Sequence, residues 1–160
     1  MSEEKQYKIY CDMDGVLTNF EKAYFNLTGV DLAGRHLNDK SFWDPINSAG
    51  YEFWVNMEWM PDGKELWDVI SKYKPTLLSA PSRSNDSRVG KFDWVERELP
   101  GVPLILRSAS RKREFASPNH ILIDDREDNI NGWIEDGGEG ILHKSAKDTL
   151  KILKEKYNIQ

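Results

Sequence analysis

The chain has 160 residues, 39% apolar and 11% aromatic, with 22 Lys plus Arg against 27 Asp plus Glu and a net charge of −5. That suits one domain with a real core and room for a small insertion, and argues against global disorder and against a coat for duplex nucleic acid. Apolar runs are far shorter than a membrane span, and the polar start MSEEKQYK has no signal-peptide stretch, so a cytoplasmic protein without membrane contact is expected. The single cysteine, Cys11, excludes an internal disulfide framework and a four-cysteine zinc site.

In chain order, Lys8–Cys11 (KIYC) reads as a first strand that runs into a sharp turn at Gly15. The next forty residues, roughly 20–61, break the rhythm of the rest. They hold nine aromatic residues, among them Phe20, Trp43 and Trp54, with helix-like pieces at Asn19–Leu27 and Tyr51–Met57 and turn residues at Gly29, Gly34, Pro45 and Gly50. This stretch reads as a small helical cap inserted after the first strand, leaving 1–19 and 62–160 as the core. Beyond it, short apolar runs at Thr76–Ser79, Pro103–Leu106, Ile121–Ile123 and Gly140–Leu142 read as strands. The stretches Asp62–Lys72, Ser84–Leu99, Arg126–Glu135 and Ser145–Tyr157 read as helices. Helices between short buried strands predict an α/β fold, a three-layer sandwich with a Rossmann-like parallel sheet.

Four groups of residues carry chemistry. Asp12 and Asp14 follow the first strand in Asp12-Met13-Asp14-Gly15, at the end of a parallel strand where such sheets bind ligands. Two carboxylates at this spacing repel each other and invite a divalent cation, and oxygen-only ligands favour Mg²⁺. The same pattern is also that of an acidic turn before a helix. Asp124 and Asp125 end the run Ile121-Leu122-Ile123, where adjacent buried acids need a partner or a metal; a helix N-cap is the alternative use. Alternation along a strand points the two side chains apart, so one touches the metal directly and the other acts through water or backbone. Ser79 ends the second strand and precedes free N–H groups, an arrangement that holds a phosphate or simply caps a helix. Arg111-Lys112-Arg113 offers a cation to a phosphate near the aspartates, or a solvated basic turn.

Taken together in this order, the motifs resemble the haloacid dehalogenase-like hydrolase superfamily across the whole chain. The segment DMDGVLTNF and the segment ILIDDR resemble its 5′(3′)-deoxyribonucleotidase branch. The resemblance implies a Mg²⁺-dependent phosphatase in which Asp12 is the nucleophile and Asp14 the general acid and base, its backbone carbonyl also facing the metal. It implies that Ser79 binds the phosphoryl group and that Lys112, or one of the flanking arginines, balances charge. Asp124 and Asp125 would complete the metal site, with Asp125 as the direct ligand. An acid at position 14 favours phosphatase over dehalogenase or ATPase chemistry. The sequence departs from nucleotidase relatives at Ala80, where a second hydroxyl is common; a backbone N–H or Ser82 would replace it.

The implied substrate is a small phosphate ester, most specifically a nucleoside monophosphate whose base stacks on Phe20, with Trp43 and Trp54 as further candidates by position. Each of these rings has an alternative use as cap core. A sugar phosphate, a polynucleotide end, or a non-catalytic binding module on the same fold are the competing readings.

Overall fold

The computed structural model describes residues 6–160; residues 1–5, the start of the polar N-terminal stretch, lie outside the described residues. Five strands, Lys8–Cys11 (β1), Thr76–Ser79 (β2), Leu104–Leu106 (β3), His120–Asp124 (β4) and Glu139–Leu142 (β5), form one sheet in the order β3-β2-β1-β4-β5. Every neighbouring pair is parallel, with Ile9 opposite Ile121 and Cys11 opposite both Ile123 and Leu77. Among the described residues seven helices accompany it: Phe20–Thr28 (α1), Lys40–Ala49 (α2), Tyr51–Val55 (α3), Gly63–Ile70 (α4), Asn85–Glu98 (α5), Glu127–Glu135 (α6) and Ala146–Tyr157 (α7). A short 3₁₀ helix, Ser71–Tyr73, extends α4, and a second one, Ala109–Phe115, leads into β4. No helix among the described residues is long and apolar enough to cross a membrane.

The expected three-layer α/β sandwich is present, and the alternation of side chains across each strand makes it. Ile9, Cys11, Leu77, Ile121 and Ile123 bury on one face, against α4, α5 and α7. Tyr10, Leu78 and Leu122 bury on the other, with Ile130 and Trp133 of α6 and, at the edge, Phe115. Strands apolar on both faces stay in place only when helices cover both, which is why the sheet is parallel and the connections are helical.

The 20–61 segment contributes α1, α2 and α3, which pack together through Tyr24, Phe42, Ile46 and Phe53. Helix α2 was not expected, because Pro45 reads as a turn. It runs through Pro45 nonetheless. Proline in a helix removes a hydrogen bond and crowds the carbonyl four residues back, at a cost of about 3 kcal/mol. Here that carbonyl belongs to Ser41, an exposed residue that water can reach. The N-cap Asp39 accepts the Phe42 N–H at 2.8 Å, and burial of Phe42 and Ile46 offsets the cost.

Helix α3 lies directly on α5. A Cβ at Gly90 would overlap Trp54 Cβ and stand 3.3 Å from the Val55 amide nitrogen, so the two backbones touch at this glycine. The contact is fastened by the Arg97 side chain donating to Val55 O (2.8 Å), the Trp94 indole N–H donating to Met57 O (2.8 Å) and the Tyr51 hydroxyl donating to Asp93 (2.6 Å). Segment and core therefore share one continuous apolar cluster, in which Trp54, Met57 and Trp94 are all buried.

Gly90→Ala is expected to destabilise the fold. Helix propensity favours Ala by about 1 kcal/mol, but forcing the two helices apart costs about 1–3 kcal/mol. Urea unfolding should show a net loss, and a larger one for Gly90→Val; a stabilised Gly90→Ala would mean that the helices are free to separate.

Candidate active site

Because all five strands run the same way, their C-terminal ends share one edge, and the chain reverses its order of addition beside β1. That is the switch point where open parallel sheets bind ligands. Asp12 leaves β1 there, its N–H donating to Ile123 O at 2.9 Å. Ser79 ends β2 and Asp124 ends β4, on the two strands flanking β1. The carboxylates of Asp12, Asp124 and Asp125 each offer an oxygen within 4.8 Å of the others.

Lys112, only 2% exposed, reaches this cluster from the 3₁₀ helix before β4. Its ammonium donates to Asp12 Oδ1 at 3.0 Å and to Asp124 Oδ2 at 2.9 Å. Arg111 turns outward to Glu114, and Arg113 to Glu135 and Asp136, so of the three basic residues Lys112 enters the site. Asp124 is fully buried and tied down further: Oδ1 accepts the Arg126 N–H at 2.9 Å and Oδ2 accepts the Asn129 amide at 3.2 Å. Asp125 packs over Gly15, whose φ of +86° and missing Cβ make the room.

The electrostatics follow from burial. Asp12 is pushed well above the usual carboxylate range, first by desolvation and then by Asp124, with Lys112 pulling the other way. Burial, then the neighbouring Asp124, push Asp125 up to about 6. Burial works against the Lys112 charge, but Asp12 and Asp124 outweigh it and hold the ammonium above its ordinary value. Directly before Asp12, the buried Cys11 thiol is also pushed up, by burial and then by Asp12 and Asp124. Three carboxylates face one ammonium, an excess of two negative charges with oxygen donors only. A divalent, oxygen-preferring cation such as Mg²⁺ fits that donor set.

Asp14 lies outside the cluster, with a quarter of its side chain exposed. Thr18 donates to its Oδ1 at 2.8 Å and Lys91 to its Oδ2 at 2.9 Å. Lys91, in α5, was missed by the reading of the sequence. It is 2% exposed, donates also to Ser79 Oγ at 2.9 Å, and lies 5.1 Å from the centre of the Trp54 indole. Its signal was present: Ser87, Gly90, Lys91, Trp94 and Val95 fall at i, i+3, i+4, i+7 and i+8, so a lysine sits on the buried stripe of the helix.

Ala80, following Ser79, is partly buried and carries no hydroxyl, while Ser82 Oγ accepts the Ser84 N–H at 3.2 Å. Of the candidate aromatic residues, Trp54 is 3% exposed, whereas Phe20 and Trp43 keep part of their surface open. Phe20 is ringed by Tyr24, Phe42, Trp43, Phe53 and Trp54 at centroid distances of 5.6–6.5 Å. The Trp43 indole N–H donates to Asn38 at 2.8 Å.

No protein-family model matches the sequence, and comparison with curated proteins finds no match. Solved structures do match, and they carry the haloacid dehalogenase (HAD) fold. The Bacillus subtilis HAD-type protein YfnB, solved with magnesium, is 11% identical, with a TM-score of 0.59 over 93% of this chain and 99% of its own. The L-2-haloacid dehalogenase of Xanthobacter autotrophicus is 12% identical, with a TM-score of 0.52 over 95% and 84%. A β-phosphoglucomutase-like protein of Thermotoga maritima is 15% identical, with a TM-score of 0.53 over 94% and 99%. At these identities the likeness is one of fold, a Rossmann-like HAD architecture that serves more than one chemistry.

The charge excess at the site has a measurable sign. A carboxyl whose folded pKa is raised from about 3.9 to the value of Asp125 gives stability below pH 4 that is lost as pH rises through 6, about 3 kcal/mol in all. In EDTA at pH 7, Asp125→Asn should therefore be more stable than the wild type in urea unfolding. The gap should close toward pH 4, and saturating Mg²⁺ should reverse it. A wild type whose stability in EDTA exceeds that of Asp125→Asn at pH 7 would contradict the assignment.

Proposed function

We propose that the protein is a Mg²⁺-dependent phosphomonoester hydrolase that forms an aspartyl-phosphate on Asp12, with a nucleoside monophosphate as its substrate. The observation that carries this reading is the division of labour between two acids two residues apart. Asp12 belongs to the three-carboxylate cluster, while Asp14 is paired outside it with Lys91 and Thr18.

In this reading Asp12, the Asp14 backbone carbonyl and Asp125 hold Mg²⁺, with Asp124 completing the site. The ion supplies positive charge that offsets repulsion between the nucleophile and the phosphate. Lys112 holds Asp12 in place and adds a second positive charge on the same side. Asp12 Oδ attacks phosphorus, the P–O bond to the alcohol breaks, and Asp14 gives its proton to the departing alkoxide. Water then attacks the aspartyl-phosphate, Asp14 takes its proton back, and inorganic phosphate leaves with the Asp12 carboxylate restored. Ser79 Oγ and backbone N–H groups after Ala80 donate to the phosphoryl oxygens. The open parts of Phe20 and Trp43 offer a stacking surface to a base. A small diffusible phosphate ester suits an enzyme of the cytoplasm.

Phosphate release with Mg²⁺ from a panel of nucleotides and sugar phosphates tests the reading. Activity should disappear in EDTA and return with Mg²⁺. Asp12→Asn should lower kcat by several orders of magnitude, and Asp14→Asn by about 10²- to 10⁴-fold. Substantial activity in Asp12→Asn would point to attack by water in its place.

Specificity has its own test. Phe20→Ala should lower kcat/KM for a nucleotide by about 5- to 150-fold, the worth of one base–aromatic stack, and leave a sugar phosphate nearly unchanged. Equal losses on both would make Phe20 a packing residue and a sugar phosphate or other base-free ester the better substrate.

A further inference from the structure

We propose that Trp54 is a positioning residue for the reaction: its indole face fixes the Lys91 ammonium between Asp14 and Ser79, so Trp54 serves the proton-handling side of the site without itself touching the substrate. The inference rests on the phosphomonoesterase reading above.

Lys91 has three N–H donors. One goes to Asp14 Oδ2 and one to Ser79 Oγ, both at 2.9 Å. The remaining side of the ammonium meets the Trp54 ring, 5.1 Å from its centre. A buried cation is held by charge, by hydrogen bonds or by the electron-rich face of an aromatic ring, and Lys91 has all three. Trp54 itself is 3% exposed, so its surface is committed to protein. The ring cannot drift, because α3 rests on Gly90, the residue directly before Lys91, and Arg97 and Trp94 tie the end of α3 to α5.

Leucine at position 54 would keep the apolar packing but remove the π face. The ammonium would then have room to leave Asp14 or Ser79, and both depend on it: Asp14 for the orientation of its carboxylate, Ser79 for the direction of its hydroxyl. The lesion falls on the chemical step more than on binding.

The test is a double-mutant cycle on kcat with Trp54→Leu, Trp54→Phe and Lys91→Met, using both a nucleotide and a sugar phosphate. Trp54→Leu should lower kcat about 10-fold on either substrate with KM within about twofold, and Trp54→Phe should recover most of the loss. In the Lys91→Met background, Trp54→Leu should cost little more. A Trp54→Leu loss of equal size in both backgrounds, or one confined to the nucleotide, overturns the proposal. Independently of the variants, NMR of the wild type should show the Lys91 ε-methylene protons shifted upfield by the indole ring current; unshifted signals overturn it as well. A wild type with no phosphatase activity on any ester removes the functional reading and this role with it, whereas an active wild type with an unaffected Trp54→Leu variant removes this role alone.

Discussion

The site depends on one buried cation. Asp12 and Asp124 end adjacent central strands, and the parallel sheet brings their carboxylates together whether or not electrostatics favour it. Lys112 bridges them at 3.0 and 2.9 Å in a place that water barely reaches. Removing one partner of such a buried arrangement leaves uncompensated charge, commonly at a cost of about 3–5 kcal/mol. The 3₁₀ helix that carries Lys112 is therefore part of the centre as much as the strands are. Arg113 holds it from outside through Glu135 and Asp136 at the end of α6.

A second cation repeats the arrangement. Lys91 joins Asp14 to Ser79 and arrives from the opposite layer, on α5. Two lysines thus divide four acids into a three-carboxylate group and a separate acid. Neither arrangement comes from the sheet alone: one uses an irregular connection, the other a helix pressed against the aromatic 20–61 segment. Both are second elements brought to a strand end, which leaves the sheet itself free of polar side chains except at its rim.

Much of this was legible in the sequence. The four strands that border or follow the acids end where short apolar runs end, because a strand buried on both faces must be apolar throughout and stops where polarity resumes. Asp12, Ser79, Asp124 and Asp125 were legible for the same reason: polar residues immediately after such runs can only lie at the rim. Helix α2 was not, because Pro45 is a local signal and the helix is held by tertiary burial of Phe42 and Ile46. Which member of Arg111-Lys112-Arg113 faces inward was not legible either, since a 3₁₀ helix obeys neither the period of a strand nor that of an α-helix. Lys91 was hidden by composition. A charged residue is read as solvent-facing, and only its place on the stripe with Gly90 and Trp94 contradicts that. The use of Trp54 was equally obscured, because an aromatic position in a sequence does not say whether the ring faces a ligand or a lysine.

The placement of Cys11 has a practical side. It is the protein's one thiol, fully buried in β1 directly before Asp12, and its environment keeps it protonated. Thiolates, not thiols, react with maleimides and iodoacetamides, and those reagents need access. The native protein therefore behaves toward alkylating probes as though it had no cysteine. A cysteine introduced on the exposed face of α1 or α5 would be the sole labelled position, with no need to replace Cys11 and disturb the strand beneath Asp12. Conversely, alkylation of Cys11 reports unfolding of the central strand itself, a chemical clock on the part of the sheet that carries the site.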